Sequence, residues 1–175
     1  GRCVYGASWR SFHDPEAFIY CDNSYLDGKR IGQSIDQLRM VVEKLHSNPY
    51  DRRMIVNSWN PLGFNNTALP ACHTGFTVCV YGDRLNLAFE QRSCDWLLNQ
   101  TIVTYGLMIL LLCEETGLKP GILQGRFVDN HVYENQLEAA KELLKREERK
   151  LPTVTIKRKS DGSFSIFDWK YSDII

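Results

Sequence analysis

The residues with the most chemistry to offer in this chain are Cys72, His73 and Arg92. Cys72 precedes a strand-like run over 74–81, and Gly82-Asp83 reads as a hairpin turn. The returning run over 85–90 carries Gln91-Arg92-Ser93-Cys94-Asp95 back toward the edge where Cys72 sits. A cysteine at the mouth of a strand with a guanidinium brought beside it suits a nucleophilic thiolate, because a nearby cation favours the charged form. The alternative is a buried structural cysteine beside a surface arginine, since free cysteine is among the most buried residue types. Adjacent residues of an extended chain point to opposite faces, so His73 is badly placed as a base for Cys72. That argues against a cysteine hydrolase built on Cys72, His73 and Asp95.

The elements that must position these residues read as one α+β domain over 1–175, with no repeats and no low-complexity tract. The stretch 13–32 mixes Pro, Gly, Asp, Asn and aromatics and reads as a loop. Ser34 is a candidate N-cap for a helix over 35–46 whose apolar residues share one face, and Asn48-Pro49 ends it. A buried-strand pattern over 54–59 follows, then a loop over 61–70 that delivers the chain to Cys72. After Asp95 an apolar helix is expected to about residue 116, with Gly117 as its stop. Further strands are expected over 122–127 and 153–158, the second with Val154 and Ile156 inward. Between them 134–147 reads as an amphipathic helix with Leu137, Ala140, Leu143 and Leu144 inward. Strands and helices mix without a clean βαβ repeat, hence α+β.

Composition narrows the function classes. Lys plus Arg and Asp plus Glu both number 21, so a formal net charge of zero leaves no footprint for nucleic acid or a membrane surface. The cysteines at 3, 21, 72, 79, 94 and 113 contain no CxxC pair, which is neither a zinc pattern nor a disulfide ladder. Reduced thiols in the cytoplasm fit best, and no apolar leader precedes the first blocks. The apolar run over 102–113 reads as too short and interrupted to span a bilayer. The Asn-x-Thr triplets at Asn65 and Asn99 carry no meaning in a cytoplasmic chain.

Five blocks in order change the weight of these residues: Asp51-Arg52-Arg53-Met54-Ile55-Val56, Ser58-Trp59-Asn60-Pro61, Ala68-Leu69-Pro70-Ala71-Cys72-His73, Gln91-Arg92-Ser93-Cys94-Asp95 and Asp129-Asn130-His131-Val132-Tyr133. Together they resemble the thymidylate synthase family and its relatives, the pyrimidine-nucleotide hydroxymethylases, from about Tyr5-Gly6 onward. The resemblance implies a mixed sheet packed with long helices and a two-fold dimer through the sheet. It implies a folate-dependent transfer to carbon 5 of a pyrimidine nucleotide, dUMP to dTMP foremost, with methylenetetrahydrofolate as co-substrate and no metal. Addition of the Cys72 thiolate at carbon 6 would turn carbon 5 into a nucleophile.

The same resemblance assigns roles. Arg92, with Ser93 and Gln91, would hold the nucleotide and its phosphate, for which a planar donor fork is suited. Arg52 and Arg53 would reach the partner's phosphate across a homodimer, although an adjacent arginine pair by itself reads as a solvated face. His131 and Tyr133 would bind the sugar 3′-hydroxyl, and His73 would lie near the group on carbon 4. Asp95 would contact the folate pterin while also capping the next helix. The chain departs from the family after Asp95, where a shortened segment puts Thr101 at the position of the family's base-reading asparagine. A hydroxymethylase acting on cytosine would carry aspartate there, so Thr101 fits neither pattern and weakens dUMP methylation without establishing the alternative. The family's N-terminal segment and closing C-terminal tail have no counterpart here. The chain then reads as either a core fragment or a reduced relative; the altered segment after Asp95 favours a hydroxymethylase of the same fold, and the missing ends a catalytically weak nucleotide-binding relative.

Overall fold

A computed structural model describes residues 5–10, 12, 35–61, 69–98, 100–148, 150, 153–162 and 164–167. Its centre is a four-stranded sheet in the order β1-β2-β3-β4: Ile55–Asn57, His73–Tyr81, Arg84–Asp95 and Lys119–His131. The first two pairings are antiparallel and β3–β4 is parallel, so the sheet is mixed. A second hairpin, β5 (Thr155–Arg158) with β6 (Phe164–Phe167), stands beside it. The fold is α+β, as expected.

Alternation decides which face is covered. Val56, Phe76, Val78, Val80, Leu85, Leu87 and Phe89 all point to one face and are buried. Three helices lie on it. The α1 segment (Tyr5–Arg10) supplies Trp9; α2 (Gln37–Ser47) supplies Val41 and Leu45; α3 (Thr101–Thr116) supplies Tyr105, Ile109, Leu112 and Cys113. Polar ties set their positions. Trp9 donates its indole N–H to Ser58 Oγ at 2.7 Å. Gln37 is buried yet satisfied: Nε2 donates to the Ser8 and Asn57 carbonyls, and Oε1 accepts from Asn57 N–H. The opposite face carries Ile55, Thr77, Cys79, Tyr81, Ile122, Gln124, Arg126 and Val128, all exposed.

Several elements differ from the sequence reading. The α2 helix is capped by Asp36, which accepts from Arg39 N–H at 3.0 Å; Ser34 and the loop over 13–32 lie outside the described residues. Strand β3 runs through Gln91 to Asp95 and β4 runs on to His131, because each supplies the other's hydrogen bonds through the register Asp95↔His131. A parallel pair needs a crossover, and α3 is that crossover, so one βαβ unit is present after all. Gly117 closes α3 in the left-handed conformation, φ 73°, with its N–H on the Cys113 carbonyl.

With the 3₁₀ turn Trp96–Leu98 before it, the run Trp96–Thr116 has 21 residues at a hydropathy of 1.6. By length and composition alone that stretch could cross a membrane, as core helices of this kind also can; the helix α3 within it has 16 residues. Here its buried stripe lies on the sheet. The fourth helix, α4 (Leu137–Lys145), buries none of its residues: Leu137, Leu143 and Leu144 are exposed, because no described element packs on that face. In β5, Val154 just before it and Ile156 are half-buried.

Candidate active site

Cys72 sits one residue before β2 begins, and three contacts fix its backbone and approach. Its N–H donates to the Tyr5 hydroxyl at 2.8 Å. Its carbonyl accepts Arg92 N–H at 2.9 Å, which extends the β2–β3 ladder by one bond. The Arg92 side chain then grips the segment before it, donating Nε to the Ala71 carbonyl at 2.9 Å and an Nη to the Pro70 carbonyl at 3.0 Å. Two of the five guanidinium donors are thereby used, and the Cζ of the group lies over the Trp59 ring, 5.3 Å from its centroid. Pairing does bring the guanidinium to the cysteine segment; its direct partners are the two carbonyls just before Cys72. Cys94, by contrast, is fully buried, and burial with the nearby Asp95 charge pushes its thiol up. It packs.

His73 opens β2, paired with Gln91. Its ring stacks on Tyr5, centroids 4.1 Å apart at 13°. Thr101 Oγ1 lies 3.1 Å from Nε2, and the Tyr105 hydroxyl 3.5 Å from Nδ1. Burial lowers the His73 pKa, so the ring is neutral near pH 7. Both nitrogens face hydroxyls, which donate or accept as the tautomer requires. Tyr105 is itself fully buried, stacked on Phe89 at 4.3 Å and edge-on to Phe76 at 5.5 Å, and burial pushes its phenol up. A chain of rings therefore connects the core to the site.

A bulge re-aims the start of β2. His73 pairs with Gln91 but Gly75 pairs with Glu90, leaving Thr74 unpaired in the ladder. Thr74 donates to the Glu90 carbonyl at 3.3 Å, and the β1 chain bonds back to the Thr74 carbonyl through Ser58 and Trp59 N–H. A Cβ on Gly75 would stand 2.5 Å from the Val56 carbonyl oxygen, so β1 approaches this closely only because the side chain is absent.

The other half of the site lies at the carboxyl ends of the parallel pair. Burial along β3 alternates through Leu87, Phe89 and Gln91, then slips to Cys94, leaving Arg92 and Ser93 both half-buried. Ser93 stands opposite Asp129 and Asp95 opposite His131. The His131 and Tyr133 rings meet edge to face at 5.1 Å, on one side as expected, although Tyr133 falls after the strand. Asp95 Oδ1 accepts Leu97 N–H at 3.0 Å and so caps the 3₁₀ turn; Gln100, the N-cap of α3, makes no side-chain capping bond. Thr101, the first residue of α3, is buried against His73. Asn99 lies outside the described residues.

Arg52 and Arg53 are not brought to this cluster. They precede β1, and the carbonyl of Met54 just before that strand accepts Val78 N–H, so they stand beside the far end of β2. At about 3.3 Å per residue that is roughly 20 Å from Cys72 within one chain. Asp51 anchors their loop, accepting Arg53 N–H at 2.7 Å and Lys44 Nζ at 2.5 Å, while both guanidinium-bearing residues stay exposed. Three residues of the cluster were given no site role from sequence: Tyr5, where the resemblance begins, Tyr105, and Gln136, which lay in what read as an ordinary helix. Among the described residues no group of three or more His, Cys, Asp and Glu could hold a metal ion.

Residues 2–175 match the family model described as Thymidylate synthase. The thymidylate synthase of Saccharomyces cerevisiae is 36% identical over 183 residues, covering 97% of this chain and 58% of that protein. That of Mycoplasma pneumoniae is 36% identical over 173 residues, covering 98% and 52% respectively. The chain thus spans about half the length of the curated relatives it matches. A cysteine held at the mouth of a strand, an arginine fork on its approach and a histidine–tyrosine pair at the end of the parallel strand stand on a sequence that matches from end to end: the chain belongs to the thymidylate synthase family.

Proposed function

We propose that this chain carries the catalytic core of a folate-dependent enzyme that adds a one-carbon unit to carbon 5 of a pyrimidine nucleotide, dUMP to dTMP foremost. The observation that carries the reading is the fixed approach to Cys72, held by Tyr5 and Arg92 at the edge it shares with His73 and Thr101. The Cys72 thiolate adds to carbon 6 of the ring and makes carbon 5 nucleophilic toward the one-carbon unit; carbon 5 then gives up its proton, and the thiolate leaves as the 5,6 double bond re-forms. The remaining donors of Arg92, with Ser93 and Gln91, hold the nucleotide phosphate. His131 and Tyr133 bind the sugar hydroxyl, and neutral His73 with Thr101 meets the base edge. Bound methylenetetrahydrofolate supplies the one-carbon unit and, for a methyl product, the hydride. Asp95 fits such a co-substrate, because its carboxylate stands beside the exposed Trp96 and Leu98, an acceptor next to an apolar shelf suited to a flat ring with N–H donors.

A second reading, a hydroxymethylase of the same fold, is favoured by Thr101. Its hydroxyl can donate or accept, so with His73 it tolerates a carbonyl or an amino group at carbon 4. Mass spectrometry of the products from dUMP, dCMP and their ribose counterparts with methylenetetrahydrofolate separates the readings. A methylated product from dUMP supports the first and a hydroxymethylated product the second; no product from any of them supports a nucleotide-binding relative.

The enzyme is read as a cytoplasmic two-fold homodimer through the open sheet face, with sites shared between subunits. Ile55, Tyr81, Ile122 and Val128 expose apolar surface on that face, beside a groove of about 590 Å³ lined by Trp59, Thr74, Glu90, Arg92 and Arg126. The placement of Arg52 and Arg53 far from their own Cys72 suits a role in the partner's site. Arg52→Ala mixed with Cys72→Ser subunits then regains activity that neither has alone. Absence of rescue in well-mixed heterodimers would remove the shared site.

A further inference from the structure

Asp95 does not stand alone at the end of β3. Its Oδ1 is taken by Leu97 N–H, and its Oδ2 accepts from Gln136 Nε2 at 3.4 Å, a contact between residues 41 apart in sequence. Gln136 ends the 3₁₀ turn Glu134–Gln136, and its own N–H donates to the Tyr133 carbonyl at 2.8 Å. The residue therefore touches both sides of the second half-site: its backbone holds the Tyr133 segment and its side chain reaches Asp95.

The far end of the same amide is informative. Gln136 Oε1 is buried and has no hydrogen-bond partner among the described residues. Turning the amide over would set that oxygen against the Asp95 carboxylate, so Asp95 dictates its orientation. A buried acceptor left unmade is unfavourable, and an apolar side chain of equal length would remove that cost. What glutamine supplies that such a side chain does not is the donor to Asp95.

We infer that Gln136 is a positioning residue that sets the Asp95 carboxylate for the folate co-substrate. The inference rests on the reading of Asp95 as the folate contact. At 3.4 Å the bond is long, so it aims the carboxylate more than it clamps it. The side chain acts through Asp95 and leaves the Tyr133 backbone bond in place.

The test is steady-state kinetics and thermal unfolding of the full chain bearing Gln136→Met, Gln136→His, Asp95→Ala or the Asp95→Ala/Gln136→Met pair. In Gln136→Met the KM for methylenetetrahydrofolate rises about fivefold while the nucleotide KM moves less than about twofold. The melting temperature holds or rises. Gln136→His, which can still donate an N–H, recovers most of the loss. In the Asp95→Ala background Gln136→Met adds nothing, since its effect passes through the carboxylate. An unchanged folate KM in Gln136→Met, with a raised one in Asp95→Ala, overturns the inference and leaves Asp95 standing. A folate KM unmoved by Asp95→Ala overturns both. A fall in melting temperature with both KM values rising together marks a structural residue and also overturns the inference.

Discussion

Cys72 and His73 are held from several sides: by the Tyr5 hydroxyl and ring, by the Arg92 fork, and by Thr101 and Tyr105 on the crossover helix. His131 and Tyr133 lean mainly on each other, at the end of a strand whose residues are largely half-buried or exposed, and Tyr133 is 55% exposed. The first half is continuous with the core through Tyr105, Phe89 and Phe76; the second is continuous with solvent. Covalent addition needs a nucleophile whose position does not drift, whereas a sugar hydroxyl can be met by side chains that settle as the ligand arrives. The difference matches the work proposed for each half.

The contrast can be broken most severely at Cys72. Cys72→Ser should lower turnover by on the order of 10³-fold or more, with nucleotide affinity within about threefold, as read by calorimetry. Substantial turnover in that variant would remove the covalent route.

Paired variants sharpen the contrast. Tyr5→Phe keeps the stack on His73 but removes the acceptor for Cys72 N–H, so it should lower kcat about tenfold and stability by about 1 kcal/mol. His131→Ala should instead raise the nucleotide KM about tenfold and cost less stability than Tyr5→Phe, because its ring meets Tyr133 and the exposed Asp129. The comparison collapses if both variants lose stability equally.

The smallest effect is one of pH. Burial lowers the folded His73 pKa from 6.5, so the unfolded chain takes up its proton first as pH falls. The stability tied to neutral His73 is present above about pH 6.5 and is lost as pH falls toward the folded pKa. Urea midpoints at about pH 7.5 and about pH 5.5 should differ less in His73→Gln than in the parent.

The sequence showed the surroundings of Cys72 well because they sit in local signals. A proline before Cys72, a Gly-Asp turn and alternating strands on either side place Cys72 and Arg92 at one edge through a hairpin, and hairpin register is set by its turn. The α2 boundaries were legible for a similar reason, apart from the cap, where Asp36 rather than Ser34 meets the first turn. The lengths of β3 and β4 were not legible. Polar residues such as Ser93, Asp95, Asp129 and Asn130 break the apolar pattern, yet they stay in strands because each ladder satisfies the other's backbone. The inward face assigned to α4 failed because amphipathic spacing says which residues align, not whether a partner exists to cover them.

By itself, then, the amino-acid order determined the α+β class, the hairpin that joins Cys72 to Arg92, the stop at Gly117 and the family to which the chain belongs. Only tertiary structure decided that Tyr5 and Tyr105 complete the setting of Cys72 and His73, that Gln136 reaches Asp95, and that Arg52 and Arg53 stand apart from their own cysteine. The reason is separation along the chain. Local spacing sets turns, caps and faces, whereas contacts such as Tyr5 to Cys72, 67 residues apart, exist only once packing of helices on the sheet has brought distant segments together.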